Sequence, residues 1–146
     1  MKAGKKRAPG QEMDSLQKSL LCVKAARSKR AKDLVVLDLR ELVSYTDYFV
    51  ICTGRSDRQV QAISEHLEKE LRIYDQRPLS IEGFSAGRWI LMDYGDVIVH
   101  IFQQPVREFY DLEGLWCDAP TIPLPPEPEE EQTPEDEEEM DQWEEI

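Results

Sequence analysis

At 146 residues and a net charge of −12, the chain has room for one domain whose core folds without covalent staples. Its three cysteines, Cys22, Cys52 and Cys117, are scattered and lack Cys-x-x-Cys spacing, which argues against a disulfide framework or zinc site and fits a reducing, cytoplasmic compartment. No apolar run approaches the roughly 20 residues that span a bilayer, and the basic start (Lys2, Lys5, Lys6, Arg7) is not followed by a signal-type apolar segment, so no membrane association is expected.

The charge is unevenly spread. Residues 1–32 carry ten Lys/Arg against Glu12 and Asp14; residues 33–126 carry eight basic against sixteen acidic side chains; residues 127–146 carry twelve acids and no Lys or Arg. An acidic middle is repelled by phosphate backbones, so direct sequence-specific nucleic-acid binding is not expected and a basic protein surface is the better partner.

In chain order, residues 1–13 read as a disordered basic leader. A helical pattern begins at Asp14, with Leu16, Leu20 and Val23 on its apolar stripe. Residues 34–39 and 48–53 are strands, apolar on both faces, and are expected inside a covered sheet. Ser56 followed by Gln59 is a capping-box arrangement, and Val60, Ile63, Leu67, Leu71 and Tyr74 then recur at helical spacing as a buried face. After Pro78 come a short Leu-Ser-Ile strand, a turn over residues 82–87, and strands 89–93 and 97–102 flanking the tight turn Tyr94-Gly95-Asp96.

Pro105 suits the first turn of a final helix with Val106, Phe109, Leu112 and Trp116 as its stripe. From Pro120 onward prolines and acids dominate, and residues 120–146 read as an extended, disordered acidic tail; the domain is expected to span residues 14–119. The order α-β-β-α-β-β-β-α predicts an α/β fold with a mixed five-stranded sheet covered by helices.

Enzyme-like features are few. Thr53-Gly-Arg-Ser-Asp-Arg58 leads from a strand into a helix N-terminus that could hold a phosphate, but it has neither dinucleotide nor phosphate-loop spacing, and a glycine turn with a helix cap explains it. A divergent Mg-dependent nucleotidyltransferase would need converging carboxylates; Asp93 and Asp96 bracket a turn instead of alternating along one strand. His66 lies among glutamates, His100 and Cys52 lie in apolar strands, and a Cys-His pair involving Cys52 stays open at this level. No cofactor or metal is expected.

The two strands after residue 87 mix chemistries. Trp89, Leu91 and Asp93 should share one face, with Ile90, Met92 and Tyr94 on the other. A tryptophan beside a carboxylate reads equally as a contact hot spot and as a core aromatic next to a strand end.

The segments Asp47-Tyr-Phe-Val-Ile-Cys-Thr-Gly-Arg-Ser-Asp-Arg-Gln-Val60, Glu82-Gly, Gly87-Arg-Trp-Ile-Leu-Met-Asp-Tyr-Gly-Asp-Val-Ile-Val-His100 and Arg107-Glu-Phe-Tyr-Asp-Leu-Glu-Gly-Leu-Trp116 together resemble the bacterial ribosomal silencing factor, or Iojap-like, family. The resemblance runs in order over about residues 16–119. It implies a nucleotidyltransferase-like fold without nucleotidyl transfer. It also implies a factor, homodimeric when free, that binds the fourteenth protein of the large ribosomal subunit and blocks subunit joining when nutrients are short.

On that resemblance the positions matching the family's binding surface are Trp89 and Asp93, then Tyr94, with Arg58 and Gln59 at the helix start as further candidates. The expected mechanism is steric: a hairpin face carrying Glu82, Asp93 and Asp96 against Arg88 meets a basic ribosomal protein. An assembly adaptor acting through the acidic tail is a third possibility, and that tail could also fold back on the basic leader. Both termini depart from the compact family pattern.

Overall fold

The computed structural model describes residues 13–127. Helix α1 (Ser15–Ser28) starts where Asp14 accepts the Gln17 N–H at 2.8 Å. Strands β1 (Lys32–Asp38) and β2 (Tyr48–Gly54) come next, then α2 (Asp57–Ile73), β3 (Ser80–Glu82), β4 (Trp89–Asp93), β5 (Val97–Gln103) and two short helices, α3 (Gln104–Tyr110) and α4 (Leu112–Leu115). The strands form one five-stranded sheet in the order β1-β2-β5-β4-β3, with β2–β5 parallel and the other pairs antiparallel. The expected α/β class with a mixed sheet is what the chain adopts.

One sheet face packs under α1 and α2. Val36, Val50, Cys52, Ile90, Met92, Val99 and Ile101 meet Cys22, Val23 and Ala26 of α1 and Val60, Ile63, Leu67 and Leu71 of α2. Each fully buried aliphatic side chain contributes about 1.5–3 kcal/mol. In α2 the expected face is right except for Tyr74, which lies beyond the last helical turn and is exposed. In α1 the stripe is rotated from the expected one: Leu16 is exposed and Leu20 only partly buried, while Ser19, Cys22, Val23 and Ala26 turn inward. Small side chains let that helix lie close to the sheet and α2.

The opposite face carries a smaller cluster of Leu37, Leu39, Phe49, Ile51 and Phe102, covered in part by Val106, Leu112 and Trp116. The expected single final helix breaks at Asp111, which takes a left-handed conformation (φ 46°, ψ 58°) and caps α4 by accepting the Gly114 N–H. Phe109, expected in the buried stripe, is exposed instead, because α3 turns Arg107 inward and positions two apart on a helix face nearly opposite ways.

Strand β2 is buried along its whole length, as expected. Strand β1 is not interior: it is the sheet edge, and only Val36 and Leu37 are buried. Its two-faced apolar pattern has another cause. Chain beyond Ala119 returns along it, with Asp38 N–H donating to Pro120 O (2.8 Å) and Ile122 N–H to Val36 O (2.9 Å). Ile122 and Leu124 pack on the larger core, and Arg27 of α1 donates to Pro125 O at 2.6 Å.

The chain just after Ala119 thus lies attached as a strap along the edge of β1. Proline-rich extended chain needs little further ordering to lie along an edge. The basic leader up to Glu12 and the acidic stretch from Pro128 lie outside the described residues.

Candidate docking surface

The β4–β5 hairpin closes as its residue types require. Gly95 has φ +87°, Tyr94 N–H reaches Val97 O at 2.9 Å, and the Asp93 carboxylate accepts the Gly95 N–H at 2.8 Å. The strand alternation divides the candidates between two faces. Ile90, Met92 and Tyr94 point under the helices, and Tyr94 is only 6% exposed with its phenol pushed well above the usual range by burial. Trp89, Leu91 and Asp93 lie on the other face, each partly buried. Tyr94 is therefore on the wrong side of the sheet to act with Trp89.

Trp89 lies over an aromatic bed. Its ring stacks on Phe102, directly opposite on β5, at 4.9 Å between centroids, and meets Tyr110 of α3 at 4.8 Å. Its indole N–H donates to Nδ1 of His100 at 3.1 Å. Because that nitrogen accepts, the neutral imidazole carries its proton on Nε2. Burial pushes the His100 pKa down to about 4, and Phe49 meets its ring edge-on at 4.5 Å. Trp89 is therefore neither a fully enclosed core residue nor a free surface plate; it is a surface aromatic with its one polar atom already satisfied from below.

The remaining candidates separate in the same way. Gln59 is only 3% exposed; its amide donates to Lys29 O and Arg30 O and its carbonyl accepts the Arg55 N–H. Half of the capping box is present, since Ser56 accepts the Gln59 N–H, but the return bond goes to Arg55. Gln59 thus ties α1 to α2 and presents nothing to a partner. Arg58 is exposed in the first turn of α2. The cavity beside this helix start, lined by Arg30, Lys32, Thr53, Gly54, Arg55, Gln59 and Gln104, holds about 110 Å³, well below the roughly 300–1,000 Å³ of ligand pockets.

The enzyme-like pairings do not assemble. Asp93 is engaged by its own turn, whereas Asp96 bonds the Lys18 ammonium at 2.7 Å, so the two carboxylates do not converge. Cys52 sits on the helix-covered face and His100 on the other, and full burial pushes the Cys52 thiol up to about 12. His66 is partly buried on α2, where burial lowers its pKa. No helix among the described residues is long and apolar enough to cross a membrane.

Two participants were not singled out from sequence: His100 as the indole's acceptor, and Tyr110 against Trp89. The available signal is the tight turn at Gly95, whose register sets His100 opposite Leu91 and Phe102 opposite Trp89, all on one face.

Comparison with known proteins adds the family. A family model described as ribosomal silencing factor during starvation matches residues 12–145. The ribosomal silencing factor RsfS of Bacillus subtilis is 44% identical over 110 residues, covering 74% of this chain and 93% of that protein. A crystal structure of a Chromobacterium violaceum protein superposes with a TM-score of 0.70 at 34% identity, covering 72% of this chain and 88% of the other. The mouse protein named mitochondrial assembly of ribosomal large subunit protein 1 is 34% identical over 99 residues, 66% of this chain and 43% of that one.

Proposed function

The chain belongs to the ribosomal silencing factor family, and from that premise we propose that it docks on the large ribosomal subunit and represses translation without a catalytic step. The observation that carries this reading is Trp89: a surface aromatic held by Phe102, Tyr110 and His100 on the sheet face away from α1 and α2. An aromatic plate fixed before contact loses little side-chain freedom on binding, which is what a hot spot needs.

Asp93 lies on the same face, and Glu82, exposed on β3, adds a second carboxylate. Asp96 drops out of the acidic set, since Lys18 neutralises it. The partner is then a basic protein surface, which we take to be the fourteenth protein of the large subunit. The folded domain would stand where the small subunit joins, in the cytoplasm and under nutrient limitation. The name of the mouse relative, which refers to assembly of a large subunit, supports that choice of subunit. A homodimer of the free protein belongs to the same proposal.

Co-sedimentation of the full chain with purified large subunits tests it. Trp89→Ala and Asp93→Asn should each weaken binding at least about tenfold, roughly the hot-spot scale, with circular dichroism unchanged. Asparagine retains an acceptor for the Gly95 N–H and removes only the charge. Wild-type binding by both variants would overturn the assignment.

A further inference from the structure

Phe109 is 81% exposed on α3, a large apolar cost to leave in water on a helix that has a buried side available. Its ring meets Tyr110 edge-on at 5.0 Å, and Tyr110, itself 51% exposed, meets Trp89 at 4.8 Å. The three rings form one continuous ridge from β4 across α3. We propose that the docking surface runs the length of this ridge, and that its Phe109 end receives an aliphatic side chain flanked by Lys or Arg from the same basic protein that covers Trp89. This rests on the docking function proposed above and extends it to a second element.

Charge selects the occupant. The charged residues of α3 and α4 and the link between them are Arg107, Glu108, Asp111 and Glu113. Arg107 is buried and bonds Glu113 through both carboxylate oxygens, at 2.9 and 3.0 Å, so Glu108 and Asp111, both exposed, set the sign of the rim at the Phe109 end, while exposed Arg88 adjoins Trp89 at the other. Aromatics beside acids fit a basic protein; single-stranded nucleic acid, which also stacks on exposed rings, brings phosphates that this rim repels.

The ridge is also prearranged. Arg107 donates to Thr53 Oγ1 at 2.7 Å and to Asp33 O at 2.8 Å, fixing α3 to both β2 and β1 one turn ahead of Tyr110. A rigid α3 presents Phe109 without the ordering cost of a loop.

The test compares full-length Phe109→Ala, Trp89→Ala and Ile73→Ala in co-sedimentation with purified large subunits, and in binding to a naked single-stranded RNA. Ile73, 69% exposed at the end of α2, controls for loss of any exposed apolar side chain. The ridge predicts that Phe109→Ala weakens subunit binding roughly fivefold or more, keeps the wild-type melting temperature, and that Ile73→Ala changes nothing. Loss with Trp89→Ala but wild-type binding by Phe109→Ala would overturn the ridge and leave the docking function standing. Wild-type binding by both would remove both. Equal losses from Phe109→Ala and Ile73→Ala, or a Phe109 effect confined to RNA, would also overturn it.

Discussion

The Lys18 ammonium on α1 lies 2.7 Å from a carboxylate oxygen of Asp96 in the β4–β5 turn, with its side chain only 8% exposed. The Asp96 carbonyl also accepts the Asp47 and Tyr48 N–H groups, so one residue ties the helix, the hairpin and the start of β2 together. Lys18→Met and Asp96→Asn should each cost about 1–3 kcal/mol in urea unfolding, less than a fully enclosed pair because Asp96 is partly exposed. The double variant should lose less than the sum. At temperatures where it is folded, Asp96→Asn should dock like wild type; a loss matching that of Asp93→Asn would return Asp96 to the docking face.

His100 makes stability depend on acid. Its folded pKa of about 4 lies below the ordinary value of 6.5, so as pH falls the unfolded chain takes up the proton first. Stability should be intact above about pH 6.5 and decline between 6.5 and 4, by up to about 3 kcal/mol from this group. His66, also shifted down, contributes in the same sense. Denaturant curves at several pH values should show a shallower decline for His100→Gln than for wild type. Equal slopes would mean that His100 is not held neutral. Protonation also turns Nδ1 into a donor facing the indole N–H, so Trp89 fluorescence should change as the pH nears 4.

Arg107 clamps four elements or their flanks with one planar fork. Lysine cannot reproduce that geometry. Arg107→Lys should lower stability by about 1–3 kcal/mol, chiefly because buried Thr53 loses its partner; the pair with Glu113, whose side chain is 37% exposed, is screened by solvent and adds less. Amides of α3 and α4 should exchange faster as well. Unchanged melting and protection would remove the clamp.

Truncation distinguishes the strap from the acidic stretch beyond it. Ending the chain after Ala119 removes two backbone hydrogen bonds to β1 and the packing of Ile122 and Leu124, a loss of about 2–4 kcal/mol. Ending it after Glu127 keeps those contacts, and the urea midpoint should match the full chain. Equal midpoints for both truncations would show that the strap adds nothing.

Legibility tracked how local the governing interaction is. Strands β2, β4 and β5, the hairpin turn and the Ser56 cap were readable because alternation, glycine and capping chemistry act within a few residues. The rotation of α1 was not, because Lys18 turns inward for an aspartate 78 residues away. Phe109 was misplaced for a related reason: Arg107, two positions before it on α3, turns inward for Thr53 and Asp33, which are far away in the chain, and so Phe109 faces out.

At the candidate docking surface, alternation put Trp89, Leu91 and Asp93 together on one sheet face, as the structure has them. It could not decide between core and contact, since that depends on whether α3 and α4 cover the face fully, and they cover it only in part. Gln59 matched a motif but serves as a cross-brace between helices, a role visible only once Lys29 and Arg30 are brought beside it.

The parallel seam between β2 and β5 is the pairing that joins the two antiparallel halves of the sheet. Strands β1 and β2, and β4 and β5, can pair as near neighbours in the chain, but His100, which accepts the Trp89 indole N–H, meets Phe49 only when β5 zips against β2. That closure spans α2, β3 and β4 and carries the long loop-closure entropy of the fold. Amides along the seam should be the last to exchange, opening only with global unfolding. The proposed docking face is tied to that seam from one side, since His100 and Phe102 of β5 lie under Trp89 and Arg107 joins α3 to Thr53 of β2, so losing the seam should remove the face together with the fold.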